Sequence, residues 1–249
     1  MRLDKYLAGC GAGSRSEIKK MIRDGLVRAD GVSKPRPETQ IDPETAKVFL
    51  RDVPMRYRKY VYLMLYKPGG YLSATWDKHH KTVLDLVPEE YQHFDLFPVG
   101  RLDLDTEGFC LLTNDGVLAH RLLSPAHHVP KRYFARVEGQ VTEEDVALFA
   151  GGVLLEDGYV TRPAELKILT AEAVSETEVT ITEGKYHQIK RMFAAAGKRV
   201  IYLKRTAVSG VPLDASLLPG QLREFTQEEL VMLDKEYFEK EGCLCKTTE

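Results

Sequence analysis

Tyr60-Val61-Tyr62-Leu63-Met64-Leu65-Tyr66 is a β-prone run of aromatic and aliphatic residues that stops at Lys67-Pro68-Gly69-Gly70, a turn. Further strand-like runs occur at 109–113, 133–138, 179–182, 200–203 and 222–225. Helical periodicity recurs at 117–123, 142–150, 187–196 and 226–238, and the last opens on the capping-box pattern Thr226-Gln227-Glu228-Glu229. Strands and helices do not alternate regularly, and neither a Gly-rich dinucleotide fingerprint nor a Walker-type loop is present. These features predict an α+β domain over residues 60–240, built on a mixed, largely antiparallel sheet with flanking helices.

Ahead of that run the chain changes character. The first sixty residues carry 14 Lys/Arg against 8 Asp/Glu, while the remainder carries 21 against 29. A basic module joined to a more acidic body suits a phosphate-bearing partner. Within the module, Ser14-Arg15-Ser16-Glu17 matches a capping box, and Ile18, Met21 and Ile22 follow at core spacing. Arg15, Lys19 and Arg23 share one helical face. Gly25 is placed to end the helix, 26–29 reads as a strand, and Asp30-Gly31 as a hairpin turn. Asp52-Val53-Pro54-Met55-Arg56-Tyr57-Arg58-Lys59 reads as a linker, so the module is expected to span 1–55.

With 43% hydrophobic and 29% charged residues the composition is that of a globular protein able to bury a core. No apolar run is long enough to cross a bilayer and no secretory leader opens the chain, so a cytoplasmic monomer is expected. Cys10, Cys110, Cys243 and Cys245 form no zinc pattern and read as reduced thiols, Cys110 in the core, and the tail from Cys243 as frayed. His79-His80 and His127-His128 are unspaced pairs, poor chelators better suited to a surface facing phosphate.

The chemistry concentrates in Gly100-Arg101-Leu102-Asp103-Leu104-Asp105-Thr106-Glu107-Gly108. Three carboxylates in five residues allow a turn with solvated charges, a two-carboxylate magnesium site for phosphodiester cleavage, or a single working aspartate. Two other segments bear on the choice. Lys131-Arg132-Tyr133-Phe134-Ala135 sets Lys131 and Tyr133 on one strand face, a cation beside an aromatic ring as a flipped base and its phosphate require. Tyr133 fits a core position as well. In Glu183-Gly184-Lys185-Tyr186-His187-Gln188-Ile189-Lys190-Arg191-Met192-Phe193, the residues Ile189, Met192 and Phe193 are core-spaced, leaving Lys190 or Arg191 free to reach a carboxylate.

Together these motifs resemble those of the RsuA-like pseudouridine synthases, over about residues 1–235, and the first fifty residues resemble the alpha-L RNA-binding module. The resemblance implies a cofactor-free and metal-free isomerase of ribosomal RNA, with Asp103 as nucleophile, Tyr133 stacked on the target base and Lys190 paired with Asp103. It further implies that Leu203 packs on the uracil and Arg101 holds the displaced nucleotide, while Lys131, Arg15, Lys19 and Arg23 contact RNA. Lys190 stands where more distant synthases have arginine, so a point-charge contact replaces a bidentate one. The Lys-Tyr-His-Gln run is similar to that of enzymes acting on small-subunit RNA, where large-subunit relatives have Asn-Arg-Gln. The substrate would be naked RNA or a partly assembled small subunit. The rival readings are a synthase for large-subunit RNA, a non-catalytic assembly protein and the magnesium nuclease.

If the basic module is the electrostatic anchor, removing residues 1–55 leaves a folded domain that binds RNA weakly. Its log–log salt dependence should flatten by roughly 0.7 to 0.9 per lost phosphate contact. RNA affinity measured across a salt series checks this, and an unchanged slope refutes it.

Overall fold

The computed structural model describes residues 1–240; the expectations for Cys243, Cys245 and the tail lie outside the described residues. Two compact units are present, Met1–Val61 together with Val87–Leu96, and Tyr62–Leu86 together with Phe97 onward.

The first unit contains helices α1 (Leu3–Gly9) and α2 (Arg15–Arg23) and strands β1 (Val27–Ala29), β2 (Val48–Leu50) and β3 (Val53–Met55). Ser14 caps α2 as its sequence requires. The Glu17 amide donates to Ser14 Oγ at 3.4 Å, and the Ser14 amide donates to Glu17 Oε2 at 2.8 Å. Leu3, Tyr6 and Leu7 of α1 meet Ile18 and Ile22 of α2, Val27 and Ala29 of β1, and Val48 of β2 in one buried cluster.

Two local expectations are corrected here. Asp30-Gly31 does turn the chain, with Gly31 at φ +78°, but closes only a single bridge between Ala29 and Val32. The strand partner of β1 is instead β2, through Val27–Leu50 and Ala29–Val48. The expected linker is in part strand β3, paired antiparallel with β2 through a two-residue turn at Arg51-Asp52, both left-handed at φ 48° and 66°. Pro54 is tolerated because β3 is an edge strand, so its missing N–H interrupts no ladder. Since 87–96 belongs to this unit, with Val87 and Leu96 buried, the 1–55 truncation strips that segment of its neighbours. Arg15→Gln with Lys19→Gln tests the same electrostatic claim on an intact fold.

The second unit adds strands β4 (Tyr62–Lys67), β5 (Phe97–Pro98), β6 (Glu107–Thr113), β7 (Lys131–Glu138), β8 (Glu165–Thr170), β9 (Val174–Ile181), β10 (Arg199–Val208), β11 (Val211–Pro212) and β12 (Leu222–Glu224). Its helices are α3 (Gly116–Leu123), α4 (Glu143–Gly151), α5 (Gln188–Ala195), α6 (Gln227–Leu233) and α7 (Lys235–Lys240). The sheet runs β12-β4-β6-β10-β7-β9-β8, with β5 on β6 and β11 on β10. Among the strand pairs of the described residues only β6–β10 is parallel, so the mixed, largely antiparallel expectation holds. β8 escaped the sequence reading because it is an edge strand with a mostly exposed, half-polar sequence. The helix expected at 226–238 is interrupted at Asp234. That carboxylate caps α7 through the Tyr237 amide at 3.0 Å and takes a two-pronged contact from Arg121 at 2.6 and 3.0 Å.

The β6–β10 pairing decides where the site lies. Residues of β7, β9 and β10 on one face, Tyr133, Ala135, Val137, Val179, Ile181 and Leu203, pack against Ile189, Met192 and Phe193 of α5 and Phe149 of α4. This fixes α5 over the sheet, at the end where the 100–108 loop enters β6.

Gly108 makes the close pairing possible. It sits at φ +103°, and a Cβ there would lie 2.2 Å from the Arg205 carbonyl oxygen of β10. Gly108→Ala combines a strained backbone with a clash against main chain, and should cost roughly 3 kcal/mol or more. A urea midpoint lowered at unchanged m-value checks this; a loss under about 0.5 kcal/mol contradicts it.

Candidate active site

The loop between Gly100 and Gly108 is irregular backbone inside a packed domain, so its polar groups need partners the sheet does not provide. Ser73, itself buried, supplies two: its hydroxyl accepts from the Leu102 amide at 3.0 Å and donates to the Leu102 carbonyl at 3.1 Å. Lys67, the last residue of β4 and wholly buried, supplies two more and also binds its neighbour Pro68. Its ammonium donates to the carbonyls of Thr106 at 2.8 Å, Pro68 at 3.0 Å and Leu104 at 3.3 Å. The Gly70 amide adds a bond to the Leu104 carbonyl at 2.8 Å. Burial pushes the Lys67 pKa down to about 8, against the opposing pull of nearby Cys110, Asp105, Glu107 and Asp103.

This frame presents Asp103 to a small cleft lined by Arg101, Leu102, Asp103, Thr106, Tyr133, Ile181, Gly184, Lys185, His187, Gln188, Ile189 and Leu203. Lys190 Nζ lies 3.2 Å from Asp103 Oδ2 and 2.6 Å from Asp105 Oδ1, so one ammonium serves two carboxylates. The closer contact goes to the far more exposed Asp105. Partial burial opposes the Lys190 charge, but the hydrogen bond to Asp105 and the field of Asp103 outweigh it, leaving its pKa above the usual lysine value. Burial likewise opposes ionisation of Asp105, and Lys190 overcomes it, holding that carboxyl below its ordinary range. Both groups are therefore charged at neutral pH.

On the other side of Asp103, His187 Nε2 stands 3.6 Å from Oδ1. His187 caps α5 in the left-handed conformation, φ 48°, with its ring stacked on Tyr186 at 3.8 Å between centroids. The turn leading into α5 is built by two buried side chains. Glu183 accepts from Gln188 Nε2 at 2.7 Å, Tyr159 Oη at 2.6 Å and the Arg162 amide at 3.0 Å, while Gln188 Oε1 accepts from the Lys185 amide at 2.9 Å. The Glu-Gly-Lys-Tyr-His-Gln run is thus a folded bracket that fixes the start of α5 beside Asp103.

Of the residues singled out from sequence, Asp103, Lys190, Tyr133, Leu203 and Arg101 come together around this cleft. Tyr133 and Leu203 are each buried in the core cluster and also line the cleft wall. Arg101 is exposed at its edge. Lys131 is not among the lining residues: its ammonium donates to the Val129 carbonyl at 2.9 Å, and burial pushes its pKa down to about 8. Arg191 points elsewhere, pairing with Glu156 at 2.7 Å and Asp157 at 2.6 Å. Arg15 and Lys19 lie in the first unit, where with Arg2, Asp4 and Lys5 they line a hollow of about 290 Å³; Arg23 is exposed on the same helix. Cys110 is buried in β6, as expected.

Sequence reasoning missed Lys67, Ser73, His187 and Thr106. For Lys67 a signal existed, a lysine closing an apolar strand, but it was read as part of the turn. Thr106 is fully buried against the cleft, and its hydroxyl has no partner among the described residues, an unsatisfied group of the kind that water or substrate usually completes. Among the described residues no cluster of three or more His, Cys, Asp or Glu is arranged to hold a metal ion.

Comparison with known proteins gives a consistent result. The sequence profile described as RNA pseudouridylate synthase matches residues 61–195, and that of the S4 domain matches residues 1–45. The chain is 49% identical over 236 residues to an uncharacterized RNA pseudouridine synthase of Bacillus subtilis, covering 94% of this chain and 99% of that one. It is 39% identical over 231 residues to the ribosomal small subunit pseudouridine synthase A of Salmonella typhimurium, covering 92% and 98%. A crystal structure of a pseudouridylate synthase superposes with a TM-score of 0.66 at 36% identity, covering 94% of this chain and 99% of that one.

The Lys67 anchor yields a prediction with two readouts. Lys67→Met removes the donors that hold Leu104 and Thr106, so single-turnover rate should fall at least about tenfold. Global stability should change little, because lost hydrogen bonds and relieved desolvation oppose each other. With the folded pKa near 8 and the usual value 10.5, the unfolded chain holds a proton that the folded chain lacks between those pH values. Wild-type stability therefore gains from this group as pH rises through that window, by at most on the order of 3 kcal/mol, and loses the gain as pH falls through 8. Urea midpoints across that range should show the rise in the wild type and not in the variant.

Proposed function

Because the chain belongs to the RNA pseudouridylate synthase family and carries an S4 domain at its N-terminus, we propose that it converts uridine to pseudouridine in small-subunit ribosomal RNA. The observation that carries the reading is the Asp103 carboxylate, held in a cleft between the Lys190 ammonium and the His187 ring, with Tyr133 and Leu203 forming the wall. The small-subunit target is supported by the likeness over 92% of the chain to a relative whose name specifies that substrate.

The chemistry asked of such a site is limited. The bond from N1 of uracil to the anomeric carbon breaks, the base turns, and carbon 5 bonds the same carbon. Carbon 5 then releases a proton and N1 gains one, so the product is an isomer and no co-reactant is consumed. Asp103 assists as a covalent nucleophile or by stabilising positive charge on the sugar, and either role needs it ionised. Lys190 stands within ion-pair distance of Asp103 while also pairing with Asp105, which would otherwise set a second uncompensated negative charge nearby. Tyr133 offers a ring face to the flipped base, and Leu203 closes the space in which the detached uracil turns. Arg101, at the rim, is placed for the displaced backbone. The basic hollow of the S4 domain supplies phosphate contacts that orient the RNA without reading its sequence. The reading includes a monomer working in the cytoplasm, on naked or partly assembled RNA; no described helix is long and apolar enough to cross a membrane.

Asp103→Asn keeps the shape and removes the charge, so RNA affinity should remain within about twofold of wild type while isomerisation drops below detection. Retained turnover would remove Asp103 from its role. Mapping pseudouridine in ribosomal RNA from cells with and without the protein should show one small-subunit position lost. A lost position in large-subunit RNA instead would move the target.

A further inference from the structure

The chain has a single tryptophan, Trp76, and its indole is 75% exposed. One apolar side chain at a surface is ordinary. Three observations set this one apart. First, the loop that carries it is built rather than slack. Its neck is closed by the Leu72 amide on the Lys81 carbonyl and the Val83 amide on the Leu72 carbonyl, both 2.9 Å. Its tip is held by Asp77 Oδ1, which accepts from the amides of His79 and His80, each at 2.8 Å. Those two backbone bonds hold the Asp77 carboxyl below its ordinary pKa.

Second, the loop carries two ammonium groups against one carboxylate. Asp77 is engaged with the loop's own amides, whereas Lys78, His79, His80 and Lys81 are exposed. Among the described residues neither Lys78 nor Lys81 makes an ion pair. An open ring face flanked by free ammonium groups is the combination that binds unpaired nucleic acid, with bases stacked on the ring and phosphates beside the cations. Third, the loop is joined to the chemistry. Ser73, three residues before Trp76, clamps both backbone groups of Leu102, the residue preceding Asp103. A strand docked on this loop is registered against the nucleophile through one side chain.

We propose that the 74–81 loop is a second RNA-binding element that holds the single-stranded segment flanking the target uridine, with Trp76 stacked on an unpaired base and Lys78 and Lys81 on its phosphates. The proposal rests on the synthase reading and adds to it a grip next to the reacting nucleotide, apart from that of the S4 domain. It also gives the unspaced His79-His80 pair a setting, on a surface that faces phosphate.

As the only tryptophan, Trp76 reports on its own occupancy. Full-length Asp103→Asn protein, which binds without turnover, is titrated with a small-subunit ribosomal RNA transcript while tryptophan emission and the anisotropy of labelled RNA are followed together. The expected result is quenching of emission with the same midpoint as the anisotropy change. With Asp103 intact, Trp76→Ala should raise KM roughly tenfold while leaving the single-turnover rate at saturating RNA within about twofold, and Trp76→Phe should recover most of the loss. Lys78→Gln with Lys81→Gln should reduce the log–log salt slope by about 0.7 each. Bound RNA with unchanged emission, or a wild-type KM in Trp76→Ala, overturns the proposal; a loop made for a protein partner would give that outcome. If wild-type protein isomerises no uridine in the transcript, the functional reading fails, and quenching by bound RNA still decides whether the loop is an RNA site.

Discussion

A wholly buried lysine underlies the architecture of the candidate site. The 100–108 loop brings carbonyl groups into the domain interior where no strand can pair them, and the Lys67 ammonium takes two of them, with the Pro68 carbonyl as its third acceptor. Dehydrating an ammonium is unfavourable, as its depressed pKa records, and it is tolerated here because each of its three donors has an acceptor. Lys67 also lies opposite Gly108 in the β4–β6 ladder, so the strand that carries the anchor and the strand that the loop enters are locked in register. The position of Asp103 follows from this. Its loop is pinned at Leu102 by Ser73 and at Leu104 and Thr106 by Lys67, leaving the carboxylate between two fixed points.

The parallel pairing of β6 with β10 does the complementary work. Because β6 and β10 run the same way, with Lys204 opposite Glu107 and Arg205 opposite Gly108, Leu203 of β10 comes to the end of the sheet where the loop emerges. β7 pairs with the other edge of β10, placing Tyr133 opposite Arg205. Helix α5 then packs its apolar stripe on that same face and delivers Lys190 from its first turn. The buried Arg205 ties the two strands further by donating to the Phe109 carbonyl of β6 at 2.8 Å. Four segments far apart in the chain thus converge because two strands approach closely, and that approach needs a residue without a Cβ at 108.

The charge pattern of the cleft is set by who pairs with whom. Two aspartates face one ammonium, with a histidine on the far side, and the flanking Glu107 is already engaged with the Tyr202 hydroxyl at 2.8 Å. Of the three carboxylates that look like one acidic group in the sequence, Asp103 and Asp105 share the Lys190 ammonium, while Glu107 turns to Tyr202. The family match favours the synthase over the nuclease alternative.

Much of this was legible in the sequence, where the information is local. Periodicity and capping boxes marked α2, α4 and α5, and β-prone runs marked β4, β6, β7 and β10, because hydrogen bonding within a helix and burial of alternate side chains leave their trace in neighbouring residues. The motifs around Asp103, Tyr133 and Lys190 were equally local, and their likeness to a known family pointed to the chemistry. Only the tertiary structure decided what each local piece would meet. Whether 53–55 is linker or strand depended on β2 being free to pair with it; whether 226–238 is one helix or two depended on Arg121, more than a hundred residues away. Lys67 looked like a turn residue until the carbonyls of the 104–106 segment came within its reach, and Ser73 carried no signal at all. A side chain's partner is set by the folded path of the whole chain, and neither composition nor spacing encodes that path at the level of a single contact.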